Sequence, residues 1–276
     1  MNKNSVVLIS GCSSGIGLSL AREFAARGCR VFATARKPEA IDDLKTEGIE
    51  TAALDVTNQA SIDACVAFVI GKAGRIDTLV NNAGYALIGP MIDLAIDELK
   101  RQFDTNVIGL MALTKACALH MIKQRSGLIV NIASVSGICA TPFAGAYCAS
   151  KAAVNLLSTS LRIELAPFGI DVVTVQPGAI KSNFGKVAAD SIRLPEESVY
   201  QPVAAYVAAR AQASQKNPTP VEEFSKKLVN KLFGENIPKI IRLGKSSAQL
   251  PIIANLPANQ FDRIMSKGFG LNKLRN

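Results

Sequence analysis

The fold is decided by the apolar run VVLIS at residues 6–10 and by the segment Gly11-Cys12-Ser13-Ser14-Gly15-Ile16-Gly17 that follows it. Consecutive apolar residues are typical of a strand that is covered on both faces. The segment LSLAREFAARG at 18–28 then has a helical pattern. Glycines between a strand and a helix let the backbone turn sharply and approach a phosphate, while the first N–H groups and the positive dipole end of the helix face the same anion.

The glycine spacing is G-x-x-x-G-x-G and differs from the G-x-G-x-x-G of the standard dinucleotide fingerprint. Glycine-rich turns after strands are common, so the prediction depends on the position of this turn between the first strand and the first helix. We therefore expect a nucleotide to contact Gly11, Ser13, Ser14, Gly15, Ile16 and Gly17.

Short apolar strands and helix-length segments alternate from residue 5 to residue 176. The predicted strands lie at 5–10, 30–35, 50–54, 76–81, 128–133 and 171–176. The predicted helices lie at 15–27, 38–47, 59–73, 93–124 and 145–166. This alternation predicts an α/β fold with a doubly wound, Rossmann-like parallel sheet.

The pattern changes after Pro177. Residues 181–220 contain four prolines among small and polar residues, and an excursion of this length inside a compact domain is usually functional, so we expect a substrate lid. A helix at 221–233 and a last strand at 237–243 follow, and 245–276 should form a C-terminal cap of short helices. We predict a single dinucleotide-binding domain over residues 1–276.

Composition excludes several classes of protein. With 49% hydrophobic and 19% charged residues, the 276-residue chain is neither disordered nor a disulfide scaffold. Its six cysteines form no C-x-x-C pair and its single histidine, His120, lies in an apolar stretch, which excludes a Ser-His-Asp triad and most zinc sites. We expect no metal, reduced thiols and a cytoplasmic location, since the apolar run at 6–9 is too short for a signal peptide.

The net charge of +9 is unevenly distributed. Residues 1–180 hold 16 basic and 15 acidic side chains, whereas residues 181–276 hold 15 and 7. This excess could attract an anionic substrate or a lipid surface, or it could simply be a solvated surface. We expect no nucleic-acid partner, because the sequence has no helix-turn-helix, zinc or RNP signature. The apolar residues of 245–276 could make a peripheral lipid contact or pack against the domain.

The end of the second strand bears on the identity of the nucleotide. VFATARK at 31–37 ends in Arg36 and Lys37, with no acid before Glu39. A carboxylate at this point binds a free ribose 2′-hydroxyl and an arginine accommodates a 2′-phosphate, so the sequence favours NADP(H) over NAD(H). The alternative is that Arg36 only ends the strand in solvent. Further nucleotide contacts are expected after strands three and four, from Asp55, Val56, Asn82, Ala83 and Gly84.

Four polar residues form the candidate catalytic group. Tyr147 and Lys151 are four residues apart at the start of a helix and project from one face. An ammonium near a phenol would lower the tyrosine pKa from about 10 toward working pH, which suits proton exchange with a substrate oxygen. Ser134 closes strand five, where its hydroxyl could bind the same oxygen, and Asn106 could hold a water that links Lys151 to solvent.

Together these residues resemble the short-chain dehydrogenase/reductase family. The match covers residues 5–182 and includes the glycine segment, NNAG at 81–84, the four candidate catalytic residues and Pro177-Gly178. The resemblance implies that Tyr147 is the general acid/base, that Lys151 binds the nicotinamide ribose and tunes the tyrosine, that Ser134 positions the carbonyl and that Asn106 supports a proton relay. It also implies cofactor contacts from Tyr147, Lys151, Pro177, Gly178, Ile180 and Ser182. Ser10 and Ser182 stand where the family commonly has threonine, so both positions keep the hydroxyl.

VFATARK, LPEESVY at 194–200 and NPTPVEEFSKKLVNKLF at 217–233 resemble the branch of 17β-hydroxysteroid, retinol and 1-acyldihydroxyacetone-phosphate reductases. The resemblance implies NADP(H)-dependent reduction of a lipophilic ketone, with 1-acyldihydroxyacetone phosphate as the first candidate and steroids, retinal or small ketones as alternatives. A non-catalytic NADP-sensing protein is less favoured, because all four catalytic residues are present. The family resemblance also implies a homodimer or tetramer, paired through the helices that precede Ser126 and begin near Ala149.

Overall fold

The computed structural model describes residues 2–274; Met1 and the end of the predicted cap, Arg275 and Asn276, lie outside the described residues. Within them, seven parallel strands form one sheet in the order β3-β2-β1-β4-β5-β6-β7. The strands are β1 (Val6–Ile9), β2 (Arg30–Ala35), β3 (Glu50–Ala53), β4 (Thr78–Asn81), β5 (Gly127–Ile132), β6 (Ile170–Pro177) and β7 (Ile240–Leu243). The predicted doubly wound α/β fold is confirmed.

Helices cover both faces of this sheet. They are α1 (Gly15–Ala26), α2 (Asp43–Thr46), α3 (Gln59–Ala73), α4 (Ile96–Phe103), α5 (Gly109–Gln124), α6 (Gly145–Leu165), α7 (Phe184–Asp190), α8 (Ala204–Ala211), α9 (Val221–Leu232), α10 (Gln249–Ala254) and α11 (Ala258–Gly268). The strand order reverses between β1 and β4, and the carboxyl ends of the strands at such a switch point are where α/β proteins bind their ligands.

The two covered faces explain why the strands are apolar throughout. In β1, Val7 and Ile9 pack against α1 and α9. Val6 and Leu8 lie on the opposite face and pack against α3 and α5. Alternate residues of a strand point to opposite faces, so a strand covered twice needs an apolar side chain at every position. Complete burial of one such side chain stabilises the fold by about 1.5–3 kcal/mol.

Several boundaries differ from the predicted ones. β4 begins at Thr78, two residues later than predicted, and Oδ2 of Asp77 before it accepts a hydrogen bond from the N–H of Val6 at 2.8 Å. The predicted helix 38–47 is a 3₁₀ turn, Pro38–Ile41, followed by the short α2. The predicted helix 93–124 is interrupted by a π-helical turn, Asp104–Ile108, between α4 and α5.

Residues 181–220 form α7, α8 and short turns, so the excursion contains the short helices that its pattern predicts. The segment is attached to the chain that leaves β4: Ser191 Oγ donates to the Ala86 carbonyl at 2.7 Å, and the Arg193 N–H donates to the Ile88 carbonyl at 2.8 Å. Arg193 also pairs with Glu98 at the start of α4. These contacts hold α7 and α8 above the carboxyl edge of the sheet, and the function of the segment as a lid stays a prediction.

The C-terminal helices pack partly on this segment and partly face solvent. Met265 of α11 is buried, and the ring of Phe269 lies 6.2 Å from that of Phe143 in an edge-to-face arrangement. Ile264 of α11 and Ile252 of α10 are exposed. Two of the apolar residues that could have faced a lipid surface therefore pack within the protein, and lipid contact by the remaining ones stays a prediction.

The continuous helical run Ile96–Gln124 is long and apolar enough to cross a membrane by those two measures. Half of its most apolar stretch is buried inside the fold, and its α5 part packs against the sheet and α3. These are the properties of a core helix in a globular domain as much as those of a membrane span.

Candidate active site

The three glycines of the segment occupy positions where a side chain would clash with neighbouring atoms. Gly11 has φ +73°, and a Cβ at this position would lie 2.9 Å from Cα of Ala83. A Cβ on Gly17 would overlap the carbonyl oxygen of Gly11. Gly15 has φ +59°, and its Cβ would lie 3.0 Å from the Cβ of Ser182 after β6. The segment is thus wedged between the residues that follow β4 and β6, and its backbone is left open to a ligand.

Asn82 holds this segment in place. Its Nδ2 donates to the carbonyl oxygens of Ser10 and Gly11, both at 2.9 Å. In return, Ser10 Oγ accepts the backbone N–H groups of Asn82 at 3.0 Å and Ala83 at 3.1 Å. The structure therefore gives Asn82 a positioning function toward the glycine segment, and its direct contact with a nucleotide stays a prediction. Ser10, which sequence reasoning did not assign to the site, completes this clamp.

The first turn of α1 suits the phosphates of a dinucleotide. Ser14 is the N-cap residue, with extended backbone at φ −169°, and its side chain caps no N–H group of the helix. The first turn contains no acidic residue. Its free N–H groups and the dipole of α1 therefore face the same space that the glycines keep open, and the predicted residues Ser13, Ser14 and Ile16 border it. This cradle fits a pyrophosphate.

Arg36 and Asp55 lie beyond the ends of neighbouring strands β2 and β3. Arg36 is exposed, and Asp55 is half-buried with its Oδ1 accepting hydrogen bonds from Thr57 Oγ1 at 2.7 Å and Thr57 N–H at 2.9 Å. These bonds, together with the charge of Arg36, hold the pKa of Asp55 below its usual range. The charged groups of Arg36 and Asp55 therefore lie near each other at the carboxyl edge of the sheet. Val56 next to Asp55 is buried against Gly109 at the start of α5.

The end of β6 brings the last predicted cofactor residues to the glycine segment. Pro177 ends the strand, and a Cβ on Gly178 would overlap the Lys245 carbonyl oxygen after β7. Ile180 is buried, and the N–H of Ser182 donates to Gln215 Oε1 at 3.1 Å. Because Ser182 lies against Gly15, the strand ends of β1, β4 and β6 converge on one space.

Tyr147 and Lys151 are both buried on the first turns of α6, with 8% and 5% of their surface exposed. The Tyr147 ring lies 5.6 Å from the ring of Phe184 at the start of α7. Lys151 Nζ donates to the Ile132 carbonyl oxygen, the last of β5, at 2.7 Å. A Cβ on Gly84 would lie 3.7 Å from Lys151 Nζ and 3.0 Å from Asn106 Oδ1, so these three residues adjoin one another.

Asn106 lies in the π-helical turn between α4 and α5, a distortion that is common at functional sites. Its Oδ1 accepts the Tyr85 N–H at 3.1 Å, and its Nδ2 donates to the Tyr85 carbonyl and to Ser150 Oγ, both at 3.0 Å. Ser150 Oγ in turn donates to the Tyr147 carbonyl at 2.8 Å. The amide thus joins Tyr85, directly after the NNAG segment, to the turn of α6 that carries Tyr147, and the relay water predicted for it stays a prediction.

Ser134 follows β5 and is buried beside the phenol of Tyr147. Its Oγ accepts the N–H of Ser136 at 3.0 Å, which caps the short 3₁₀ turn Val135–Gly137. The bond fixes the side chain of Ser134, while its own O–H remains a donor. Sequence reasoning missed Phe184, which covers the Tyr147 ring, because nothing in the local sequence of α7 reports the residue it meets in the fold.

The pKa values correct one expectation. Burial raises the pKa of Tyr147 to about 12, against smaller opposing effects of a hydrogen bond with Ser134 and the charge of Arg210. The lowering expected from Lys151 is wrong, because burial dominates and the ammonium is turned to the Ile132 carbonyl. Burial also lowers the pKa of Lys151 to about 8. At pH 7 the phenol is therefore neutral and able to donate a proton, and the lysine is largely charged.

The burial of Lys151 predicts a pH dependence of stability. Its pKa falls from 10.5 to about 8 on folding, so the folded protein binds fewer protons than the unfolded chain between these values. The contribution of Lys151 to the free energy of unfolding therefore rises with pH in this window. We expect the difference in free energy of unfolding between wild type and Lys151→Met to rise by about 2 kcal/mol from pH 8 to pH 10.

Urea unfolding at a series of pH values measures this difference. Lys226→Met on α9 removes an exposed lysine and serves as the control, for which we expect a flat difference. A flat difference for Lys151→Met as well would contradict the burial of the ammonium.

Comparison with known proteins agrees with this geometry. A family model described as short chain dehydrogenase matches residues 5–192. The NADPH-dependent 1-acyldihydroxyacetone phosphate reductase of Schizosaccharomyces pombe is 35% identical over 239 residues, which cover 85% of this chain and 80% of that protein.

Solved structures give the same result. A short-chain dehydrogenase from Streptomyces avermitilis is 34% identical and superposes with a TM-score of 0.82, covering 99% of this chain and 98% of that one. The closed form of serine dehydrogenase complexed with NADP+ is 26% identical with a TM-score of 0.77, covering 88% and 96%. The predicted resemblance is confirmed: the chain belongs to the short-chain dehydrogenase/reductase family, whose oxidoreductases act with NAD(H) or NADP(H) on small molecules.

Proposed function

We propose that the protein reduces a lipophilic ketone to an alcohol with NADPH. The observation that carries the proposal is the environment of Tyr147, a neutral proton donor whose ring is embedded in an apolar wall while its hydroxyl adjoins Ser134. The wall is formed by the chain after β4, the start of α6 and the helices of 181–220, and its partly exposed members include Phe184, Ile192, Leu194 and Tyr200. An apolar wall around a proton donor suits a ketone with a hydrocarbon body.

The reaction follows from the states of these side chains. When bound, the nicotinamide cofactor supplies the hydride that the carbonyl carbon accepts. Tyr147 donates its phenolic proton to the ketone oxygen, and Ser134 donates a hydrogen bond to the same oxygen and orients the carbonyl. Lys151, largely charged at pH 7 and hydrogen-bonded to the Ile132 carbonyl, would bind the ribose of the nicotinamide cofactor. Asn106 holds the NNAG segment and α6 in register, so that these groups keep their distances.

Several observations support the finer parts of the proposal. Arg36 after β2, the NADPH-dependent relative and the NADP+ complex favour NADP(H). The contact of Phe184 with Tyr147 supports 181–220 as the substrate lid. Leu119 of α5 and Leu156 and Ile163 of α6 are large exposed apolar residues, which supports pairing of subunits through these helices.

The substrate proposed first is 1-acyldihydroxyacetone phosphate. It combines a ketone, an apolar chain and an anion, which suit the apolar wall and the basic residues 181–276. The similar reductase of S. pombe acts on this compound by its name. Steroids, retinal and small ketones are the alternatives within the family.

Removal of one hydroxyl should abolish the reaction. We expect Tyr147→Phe to lower kcat by at least about 100-fold, because the general acid is lost, and to change the Kd for NADPH by less than about threefold. Initial-rate kinetics measure kcat, and fluorescence titration measures the Kd for NADPH. Tyr206→Phe, which removes a hydroxyl from another tyrosine of the same apolar cluster, is the control and should keep activity. Full turnover by Tyr147→Phe would overturn the assignment, and no turnover by wild type would favour a non-catalytic NADP-binding protein.

Arg36 should decide between the two nicotinamide cofactors. We expect Arg36→Ala to raise the KM for NADPH by about 10- to 100-fold, the cost of losing a charged hydrogen-bonded partner of the 2′-phosphate, and to leave the KM for NADH nearly unchanged. Steady-state kinetics with both cofactors measure the shift. Lys37→Ala is the neighbouring control and should have a smaller effect. Equal effects of Arg36→Ala on NADPH and NADH would contradict the proposed contact.

The substrate is tested by a matched pair of ketones. We expect kcat/KM with NADPH to be at least about 10-fold higher for 1-acyldihydroxyacetone phosphate than for the same ketone without its phosphate, since a charged hydrogen bond is worth that factor or more. Initial rates of NADPH oxidation measure both. Equal or absent rates would show the lipid-phosphate assignment to be wrong and move the search to steroids, retinoids and smaller ketones.

A further inference from the structure

Arg210 is a cation in the wall that surrounds Tyr147. It lies on α8, one turn after Val207 and directly before Ala211, both of which are buried in the same apolar cluster as Tyr147. Residues three and four apart share one face of a helix, so Arg210 is on the side of α8 that meets the cluster. It is half-buried there.

The guanidinium is fixed close to the catalytic tyrosine. Arg210 Nε donates to Thr141 Oγ1 at 2.9 Å, and Thr141 Oγ1 lies 3.7 Å from the Sγ of Cys148. Cys148 follows Tyr147 on α6. The positive charge of Arg210 is near enough to oppose, in part, the effect of burial on the pKa of Tyr147.

Arg210 has donors to spare. Arg22, Arg27, Arg30, Arg75 and Arg193 each pair with a carboxylate. Among residues 2–274, none supplies a carboxylate within 4.0 Å of Arg210, and its hydrogen bond to Thr141 uses only Nε. A guanidinium presents a planar fork of donors that matches a phosphate or carboxylate bidentately. A half-buried charge in apolar surroundings is also costly without such a partner.

These observations join in one inference, which rests on the proposed reductase function. We infer that Arg210 is a specificity residue that binds an anionic group of the substrate, a phosphate or a carboxylate, while the ketone of the same molecule lies at Tyr147 and Ser134. The two terminal nitrogens of the guanidinium, which the hydrogen bond to Thr141 leaves free, hold the anion. The protein thereby favours ketones that carry an oxyanion over neutral ketones of the same shape.

The competing explanation is structural: Arg210 would only clamp α8 to the loop before α6 through Thr141. The two explanations differ for Thr141→Val, which removes the clamp and keeps the cation. They differ also for Arg210→Lys, which keeps a charge without the bidentate fork. Lys226→Met on α9 removes one exposed positive charge from the same basic third of the chain, on a helix that packs against α1, and controls for the general field.

The experiment compares three ketones of one carbon skeleton, bearing a free hydroxyl, a phosphate ester or a carboxylate, at saturating NADPH. For Arg210→Met we expect kcat/KM to fall by about 10- to 100-fold with the preferred anionic ketone, mostly through KM, and by less than about twofold with the neutral one. Arg210→Lys should retain part of the preference. Thr141→Val and Lys226→Met should retain nearly all of it. The anionic ketone that wild type prefers identifies the group as phosphate or carboxylate.

The outcomes distinguish an error about Arg210 from an error about the reductase function. Equal losses on all three ketones in Arg210→Met, or the same loss in Thr141→Val, would show a structural clamp and overturn the inference while the reductase stands. The same loss in Lys226→Met would assign the preference to the general field. Turnover of no ketone by wild type would refute the proposed function, and the inference with it. The small anion that matches the preferred ketone, methyl phosphate or acetate, should inhibit reduction of the neutral ketone with a Ki about 10-fold higher in Arg210→Met than in wild type.

Discussion

The close approach of β1 and β4 at the carboxyl edge of the sheet is the constraint on which the site depends. The Asn82 amide binds two carbonyl groups of the glycine segment, and the Ser10 hydroxyl binds two N–H groups after β4. Gly11 and Gly17 are required there because a side chain would meet Ala83 or the backbone of the segment itself. These contacts fix the start of α1 and the path of the chain through Gly84. They therefore bring the phosphate cradle close to Lys151.

Burial sets the protonation states of Tyr147 and Lys151, the proposed catalytic pair. Tyr147 and Lys151 both lose most of their contact with water, which favours the neutral form of each and moves their pKa values in opposite directions. The phenol stays protonated at pH 7, as a proton donor must. A buried ammonium is unfavourable for folding, and its hydrogen bond to the Ile132 carbonyl offsets part of that cost. The site therefore holds a destabilising charge that the proposed function uses.

The sheet could be predicted because the residues within each strand indicate whether its two faces are buried. An apolar run such as Val6–Ile9 has one explanation, coverage on both faces, and parallel topology then brings the ends of all strands to one edge. Residues at strand ends and at the start of α6 could thus be assigned to one site from their order along the chain. The π-helical turn at Asn106 had no such signal, since its residues also fit a regular helix.

Other features depended on tertiary contacts that no local pattern carries. The partners of Asn82 are 71 or 72 residues distant in sequence, and Thr141 is 69 residues from Arg210. The pKa of Tyr147 was expected to fall because spacing placed a lysine nearby, and it rises because spacing says nothing about desolvation or about where the ammonium points. The direction of the pKa shift of Tyr147 could therefore be obtained only from the folded structure, although the residue itself could be assigned to the site from the sequence.

The central claim about the proposed reaction is that a hydride reaches a ketone carbon while Tyr147 protonates its oxygen. Reduction of one accepted ketone by NADPH that carries deuterium at both hydrogen positions of C4 of the nicotinamide, followed by mass spectrometry and NMR of the product, tests this claim most directly. We expect one deuterium on the carbinol carbon of the product for each NADP+ formed. When the reaction is run with unlabelled NADPH in D2O, we expect no deuterium on that carbon. Oxidation of NADPH without label at the carbinol carbon would contradict it.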